Sequence, residues 1–117
     1  MHYKIFLLMG LFGLGSCTSD SPDDLEGAIP ANVTYREHVQ PIIAANCLSC
    51  HGEPQRNGAP MPLTDYSKVK QAIEERGLLD RISRPQGAEG MMPNGGTRLP
   101  QTKIDIIKKW RDQEFQN

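Results

Sequence analysis

The chain has 117 residues, a formal net charge of −1 and an apolar fraction of 38%, with only three Phe, three Tyr and one Trp. This length suits one small domain, and so few large apolar side chains make a modest core, so we expect something further to stabilise the fold. The near-neutral charge and the absence of a basic stripe argue against nucleic acid as a partner.

Residues 1–16 have the pattern of a targeting segment. A short start carrying Lys4 leads into an apolar run that is too short to cross a bilayer stably. The run ends in Leu-Gly-Ser before Cys17, which resembles the lipobox of bacterial lipoprotein precursors and implies cleavage before Cys17 and lipidation of that residue. An ordinary secretory peptide is the alternative. Either route exports the chain.

Residues 17–32 form a predicted linker, because acidic, small and turn-forming residues dominate them and Pro22 and Pro30 interrupt any helix. About fifteen such residues reach roughly 20 Å as a flexible coil. Two or more acyl chains would anchor Cys17 stably to a membrane. We therefore expect a domain over residues 33–117, lipid-anchored on the periplasmic or cell-surface side of a bacterial membrane.

The central motif of that domain is Cys-Leu-Ser-Cys-His at residues 47–51. C-x-x-C-H is the signature of covalent c-type haem attachment, in which two thioether bonds fix the porphyrin and the histidine binds the iron. The motif predicts one haem c on Cys47 and Cys50, with His51 as the proximal ligand. A buried macrocycle would also supply the apolar surface that the core lacks.

Three other interpretations of the motif are weaker. A thioredoxin-type dithiol is expected after a strand in a βαβ unit, and the sequence has no clear strand. A zinc site needs about four ligands, and outside the motif and the targeting segment only Cys17 and His38 remain. A disulfide between Cys47 and Cys50 would close a very small loop and restrain little chain entropy.

The remaining elements are predicted to be helices and loops. Thr34 and Glu37 form a capping box that starts a helix near Tyr35, although Pro41 either kinks this helix or starts the main helix. A loop follows over residues 52–62, and a second helix begins at Thr64 or Asp65 and stops at Gly77. Further predictions are a short helix over 78–82, a loop over 83–99 and a last helix over 101–114, which crosses the first and places Trp110 near the haem.

The late loop holds candidates for a second iron ligand. Met91 and Met92 lie there, and Met61 lies between two prolines in the earlier loop. His38 is the remaining candidate, on the helix that leads to the proximal side. Pro93 favours Met92, because it restricts that residue to extended backbone while the following glycines permit a sharp turn. Met91 would then cover the haem edge or face solvent, and Met61 would pack in the haem crevice.

Taken together, the order of a helix, C-x-x-C-H, middle helices, a Met-Pro loop and a terminal helix resembles the small monohaem class I cytochromes c, especially bacterial lipoprotein members. The resemblance covers residues 33–114 and implies an all-α fold wrapped around one haem, with His51 and Met92 as axial ligands. One departure is Pro100, which stands where this family usually has a capping Ser, Thr or Asp.

These features predict a membrane-tethered electron carrier that serves redox partner proteins and is not itself an enzyme, because His/Met ligation leaves no open iron position. If Met92 did not bind, a five-coordinate haem could act as a peroxidase or sense a small gas, although a peroxidase needs a positioned distal base. A third possibility is the haem subunit of a larger oxidoreductase.

Overall fold

The computed structural model describes residues 27–117, which form helices, turns and loops without a strand. The predicted targeting segment, Cys17 and most of the predicted linker lie outside the described residues. A π-helical segment, Tyr35–Val39, runs into helix α1, Gln40–Asn46, and is followed by α2, Tyr66–Glu75, α3, Leu78–Ser83, and α4, Gln101–Asp112. Within residues 27–117, none of these helices is long and apolar enough to cross a membrane. The all-α class is therefore confirmed for this part of the chain.

The first helical segment begins at the predicted cap. The Thr34 hydroxyl accepts a hydrogen bond from the Glu37 amide at 3.4 Å, which satisfies one of the free N–H groups of a helix start. A capping box also predicts that Glu37 bonds back to the Thr34 amide. Instead, Nδ1 of His38 accepts that hydrogen bond at 3.0 Å. His38 is thus part of the helix cap.

Pro41 determines where the α-helix begins. The five residues before Gln40 are π-helical, and the α-helix then starts with Pro41 in its first turn. A proline is tolerated there because the first amides of a helix have no intrahelical partner. The main helix therefore starts near Pro41, as one of the two predicted arrangements has it, but residues 35–39 join it without a break instead of forming a separate turn. Cys47 caps the end of α1.

The middle helices follow the predicted signals. Asp65 caps α2 by accepting a hydrogen bond from the Lys68 amide at 2.9 Å. Gly77, with φ +69°, separates α2 from α3 in a left-handed conformation that glycine adopts without strain. Both helices face the core with their apolar sides, through Val69 and Ala72 from α2 and Leu78, Leu79 and Ile82 from α3.

The last helix starts at Gln101 without a side-chain cap, as Pro100 predicts, and ends at Asp112, two residues before the predicted end. Ile104, Ile107 and Trp110 form its buried stripe. The stripe packs against the π-helical segment and α3. Trp110 therefore shares the buried face of this helix with Ile104 and Ile107.

Trp110 lies in an aromatic cluster. Its ring is fully buried, with ring centroids 5.5 Å from Tyr35, 5.6 Å from Tyr66 and 4.9 Å from Phe115. The chain after α4 folds back over this cluster, where the carbonyl oxygen of Gln116 accepts hydrogen bonds from the Trp110 indole at 2.7 Å and the Tyr35 amide at 2.9 Å. The C-terminal segment thus closes the core beside the first helical segment.

Gln113 connects the two ends of the described chain. Its side-chain oxygen accepts a hydrogen bond from the Val33 amide at 2.8 Å, and its side-chain nitrogen donates to the carbonyl oxygen of Ala31 at 2.8 Å. Val33 is fully buried. The core therefore begins at Val33, directly after the predicted linker, and the last linker residues contact the end of α4.

Candidate cofactor site

One helical turn brings the two thiols and the imidazole of the central motif together. The Cys47 amide donates to the Ile43 carbonyl at 2.9 Å and closes α1. The Cys47 carbonyl oxygen then accepts from the amides of Cys50 at 3.2 Å and His51 at 2.8 Å. This turn places Cys47, Cys50 and His51 in the wall of the same cavity.

Gly52 lets the chain leave this turn. A Cβ atom at this position would lie 2.8 Å from the carbonyl oxygen of Leu48, closer than real Cβ contacts allow. Any larger residue would therefore push the chain away from Leu48 next to His51. The close approach explains why glycine follows the motif.

The His51 side chain is held in one orientation. It is 9% exposed, and its Nδ1 atom lies 2.7 Å from the carbonyl oxygen of Met61. Since a carbonyl oxygen only accepts, Nδ1 carries the proton and donates, which leaves the lone pair on Nε2 available to a metal. Metal-binding histidines are commonly fixed in this way by a carbonyl group on the other ring nitrogen.

The segment that carries Met61 is fastened on both sides of this contact. The Leu63 amide donates to the His51 carbonyl oxygen at 2.8 Å, so residues 61–63 bind both the ring and the main chain of His51. Further along, Glu53 bonds Thr64 at 3.2 Å and Lys68 at 2.6 Å, which ties the loop after the motif to α2. The loop is therefore held against the domain on both sides of Met61.

The cavity beside His51 has a volume of about 700 Å³, within the range typical of cofactor and ligand sites. Its wall combines the motif turn with the loop around Met61, the end of α2, α3 and the loop that contains Met92. Apolar side chains from two of these elements contribute, namely Leu63 from the loop around Met61 and Leu78 and Ile82 from α3. Arg76 and Arg81 add positive charge to the same wall.

The ligand candidates from the sequence occupy different places. Met92 and Met61 line the cavity. Met91 is only 5% exposed and is not one of the lining residues, so the expectation that it faces solvent is wrong. His38 accepts from Thr34 and lies outside the cavity wall. Trp110 is likewise not among the lining residues of this cavity.

The two thiols of the motif are free. Burial raises the pKa of the Cys47 thiol to about 11, so this thiol is protonated at neutral pH. A thioredoxin-type dithiol requires a thiol whose pKa is lowered, because the thiolate is the nucleophile. Cys50 accepts a hydrogen bond from Asn57 at 3.3 Å. Neither a structural disulfide nor an activated dithiol matches this arrangement.

The arrangement fits a flat metal-containing cofactor that is bound covalently. The cavity offers two free thiols, an imidazole with one free nitrogen, a thioether and apolar walls within a single space. Sequence reasoning missed the Met61 carbonyl group, because a main-chain atom has no residue-type signature. The prolines on both sides of Met61 were the available signal, since they restrict that segment to extended backbone.

No protein-family model matches this chain, and neither a curated protein nor a solved structure matches it.

Proposed function

We propose that this protein is a c-type cytochrome that carries single electrons and is tethered to a membrane through its lipidated N-terminus. In this proposal Cys47 and Cys50 would hold one haem through thioether bonds, and His51 and Met92 would bind its iron. The haem, when bound, supplies a one-electron couple. The other roles in this proposal, which are to bind and orient the haem, belong to residues of this chain.

The observation that carries the proposal is the hydrogen bond from His51 to the carbonyl oxygen of Met61. It directs the proton to Nδ1 of a buried imidazole and leaves Nε2 free beside two thiols in one cavity. A histidine with only a structural role would not need the C-x-x-C spacing before it. The combination of motif, ring orientation and cavity therefore favours haem attachment over the other interpretations of the motif.

The second ligand position is supported by the placement of Met92. Its thioether is a soft neutral ligand that favours the reduced iron and raises the reduction potential. The apolar residues Leu63, Leu78 and Ile82 in the same wall would lower the polarity around the bound group, which favours the lower-charged state in the same direction. With imidazole and thioether both engaged, the chain leaves no position for a substrate, so transfer through an exposed cofactor edge to a weakly docked partner is the expected activity.

The five-coordinate alternative receives less support. It needs a base near the open iron position, and His38 is engaged with Thr34 away from the cavity wall.

The alternative of a fixed subunit in a larger oxidoreductase has the same site chemistry. Purification of the native protein, alone or with a larger enzyme, distinguishes a mobile carrier from a subunit.

The tether is proposed from the sequence, through the lipobox-like residues before Cys17 and the acidic linker that follows. Export also agrees with the cofactor, because bacterial c-type cytochromes are assembled outside the cytoplasmic membrane. The three cysteines then have distinct uses, one for lipid and two for thioethers, and no thiol remains for a disulfide.

The test is extraction of the pigment from denatured protein with acidified acetone. We expect haem to stay with the wild-type chain, because two thioether bonds hold it, and to be lost from the Cys47→Ala, Cys50→Ala double variant. The matched control is Cys17→Ala, which changes the third cysteine and should keep the haem covalently bound. Release of the pigment from the wild type, or retention by the double variant, would contradict the proposal.

A further inference from the structure

The loop between α3 and α4, which carries Met92, is held by arginine side chains that bind its main chain. Arg84 donates to the carbonyl oxygen of Glu89 at 2.7 Å. Arg98 donates to the carbonyl oxygens of Arg84 at 3.0 Å and Ser83 at 3.3 Å. These contacts give a segment without helix or strand a defined path.

Arg81 contacts this loop at two points, one just before Met91 and one at the amide of Met92. Its main-chain carbonyl oxygen accepts from the Met92 amide at 3.1 Å. Its guanidinium donates to the carbonyl oxygen of Gly90 at 3.2 Å. Arg81 belongs to α3, and α3 is packed in the core through Leu78, Leu79 and Ile82. A helix packed in the core therefore fixes the backbone at Gly90 and at the amide of Met92.

Gly90 makes room for this contact. A Cβ atom at Gly90 would collide with the guanidinium groups of Arg81 and Arg84, and the residue has φ +72°, a conformation that favours glycine. A side chain here would displace the guanidinium groups from the loop. The contact between the Arg81 guanidinium and the loop therefore depends on a glycine at position 90.

We propose that Arg81 is a positioning residue that holds the Met92 thioether in the cavity by fixing the backbone at Gly90 and Met92. This inference rests on the proposed function, because it takes the sulfur of Met92 as the ligand that is positioned. Loss of the guanidinium would leave the thioether present but held less firmly. A competing ligand would then displace it more easily.

The test is a titration of the oxidised haem protein with imidazole, a stronger ligand than a thioether, followed by visible absorption. The pH is kept well above the ordinary imidazole pKa, so that the ligand is neutral and the lost charge of Arg81 does not act on it directly. We expect Arg81→Gln to bind imidazole about threefold to tenfold more tightly than the wild type, within the range that the net contribution of one ordinary hydrogen bond accounts for. The imidazole affinity of Arg81→Lys, which keeps a charged donor, should lie between those of the wild type and Arg81→Gln.

The matched control is Arg111→Gln, because Arg111 is an exposed arginine that bonds the neighbouring Asp112 on the last helix. Its imidazole affinity should equal that of the wild type. Unfolding in urea, measured on all variants, separates general destabilisation from looser ligation, since a purely structural role would lower stability without raising the imidazole affinity of the folded protein.

Gly90→Ala provides a second route to the same loss, because it displaces the Arg81 guanidinium without changing Arg81. It should raise the imidazole affinity, and combining it with Arg81→Gln should add less than the sum of the two changes. The proposal would be overturned if the two substitutions changed the imidazole affinity additively. It would also be overturned if Arg81→Gln left the affinity unchanged while keeping the weak absorption band that arises from charge transfer between the Met92 sulfur and the oxidised iron. A wild-type protein without that band would overturn both this role and the Met92 ligation in the proposed function.

Discussion

Met91 and Met92 are adjacent in the chain, but they occupy different environments. Met91 is 5% exposed and lies outside the cavity wall, whereas Met92 lines the cavity together with His51. In the sequence, only the proline that follows Met92 distinguishes the two residues. Their separation follows from the hydrogen bonds at the Met91 amide to Ala88 and at the Met92 amide to Arg81, each 3.1 Å long.

The first prediction concerns the sulfur ligand. Met92→Ala should abolish the weak sulfur-to-iron charge-transfer band of the oxidised protein and lower the reduction potential, because the thioether that favours reduced iron is lost. Visible absorption and a redox titration measure both effects.

Two matched controls accompany that variant. Met91→Ala should keep the band, although it creates a cavity in a buried region and costs about 2 to 5 kcal/mol of stability. Met61→Ala should also keep the band, because the main-chain carbonyl that binds His51 remains. A band that survives Met92→Ala and vanishes in either control would assign the ligand to the other methionine.

The second prediction concerns the closure of the aromatic cluster. The Tyr66 hydroxyl donates to the Phe115 carbonyl oxygen at 2.6 Å. Tyr66→Phe should lower the free energy of unfolding by about 1 kcal/mol, since one partly buried hydrogen bond is lost while the ring remains. Urea unfolding followed by circular dichroism measures this.

Tyr35→Phe is the control for this change, because Tyr35 belongs to the same cluster and, among the described residues, no side-chain or main-chain partner of its hydroxyl is found. It should change stability by less than Tyr66→Phe. Equal losses in the two variants would mean that the hydrogen bond to Phe115 contributes nothing measurable.

The third prediction concerns acid pH. The Lys68 ammonium bonds Glu53 and, together with Thr64, lowers the pKa of that carboxyl. The pKa of Asp65 is also lowered, chiefly by the hydrogen bond from the Lys68 amide. A carboxyl whose pKa is lower in the folded than in the unfolded chain stabilises the fold above its ordinary pKa, and this contribution is lost as the pH falls through the lowered value, below about pH 4.

Lys68→Gln should therefore be less stable than the wild type at neutral pH, and the difference should narrow on acidification. Thermal unfolding at about pH 7 and about pH 3 provides the comparison. Lys103→Gln on the last helix is the control and should show no difference that narrows with acid. If the stability difference between Lys68→Gln and the wild type were the same at both pH values, the interaction of Lys68 with the carboxyls would not be the origin of the effect.

The fourth prediction concerns Cys17. Cys17→Ser should move the haem protein from the membrane fraction to the soluble fraction, or leave it as an unprocessed precursor, because no thiol remains to receive lipid. Fractionation and intact mass spectrometry measure both outcomes. An intact mass of the native protein with an unmodified residue 17 would refute the lipid anchor.

The helices could be predicted because their signals are local. Thr34, Asp65 and Gly77 act within a few residues of their own position, so the sequence was sufficient to locate the helix ends they define. Pro41 left two arrangements open, since the choice between a kink and a new helix depends on how the turn before it packs.

The parts that could not be predicted depend on contacts between distant segments. The Met61 carbonyl oxygen contacts His51 across ten residues, and because it is a main-chain atom, no residue type in the sequence indicates it. Trp110 joined the C-terminal segment instead of the cavity because Gln116 and Phe115 fold back onto it. Arg81 resembles any exposed helical arginine until the loop around Gly90 is in place.

The two hydrogen bonds that Gln113 forms with Ala31 and Val33 have a mechanical consequence. A pull transmitted along the segment before residue 31 would first load these hydrogen bonds and the neighbouring one between Tyr35 and Gln116. None of these residues lines the cavity. Tension from the proposed N-terminal anchor would thus act on the contact between the first helical segment and the end of the last helix before it reaches the turn that carries Cys47, Cys50 and His51.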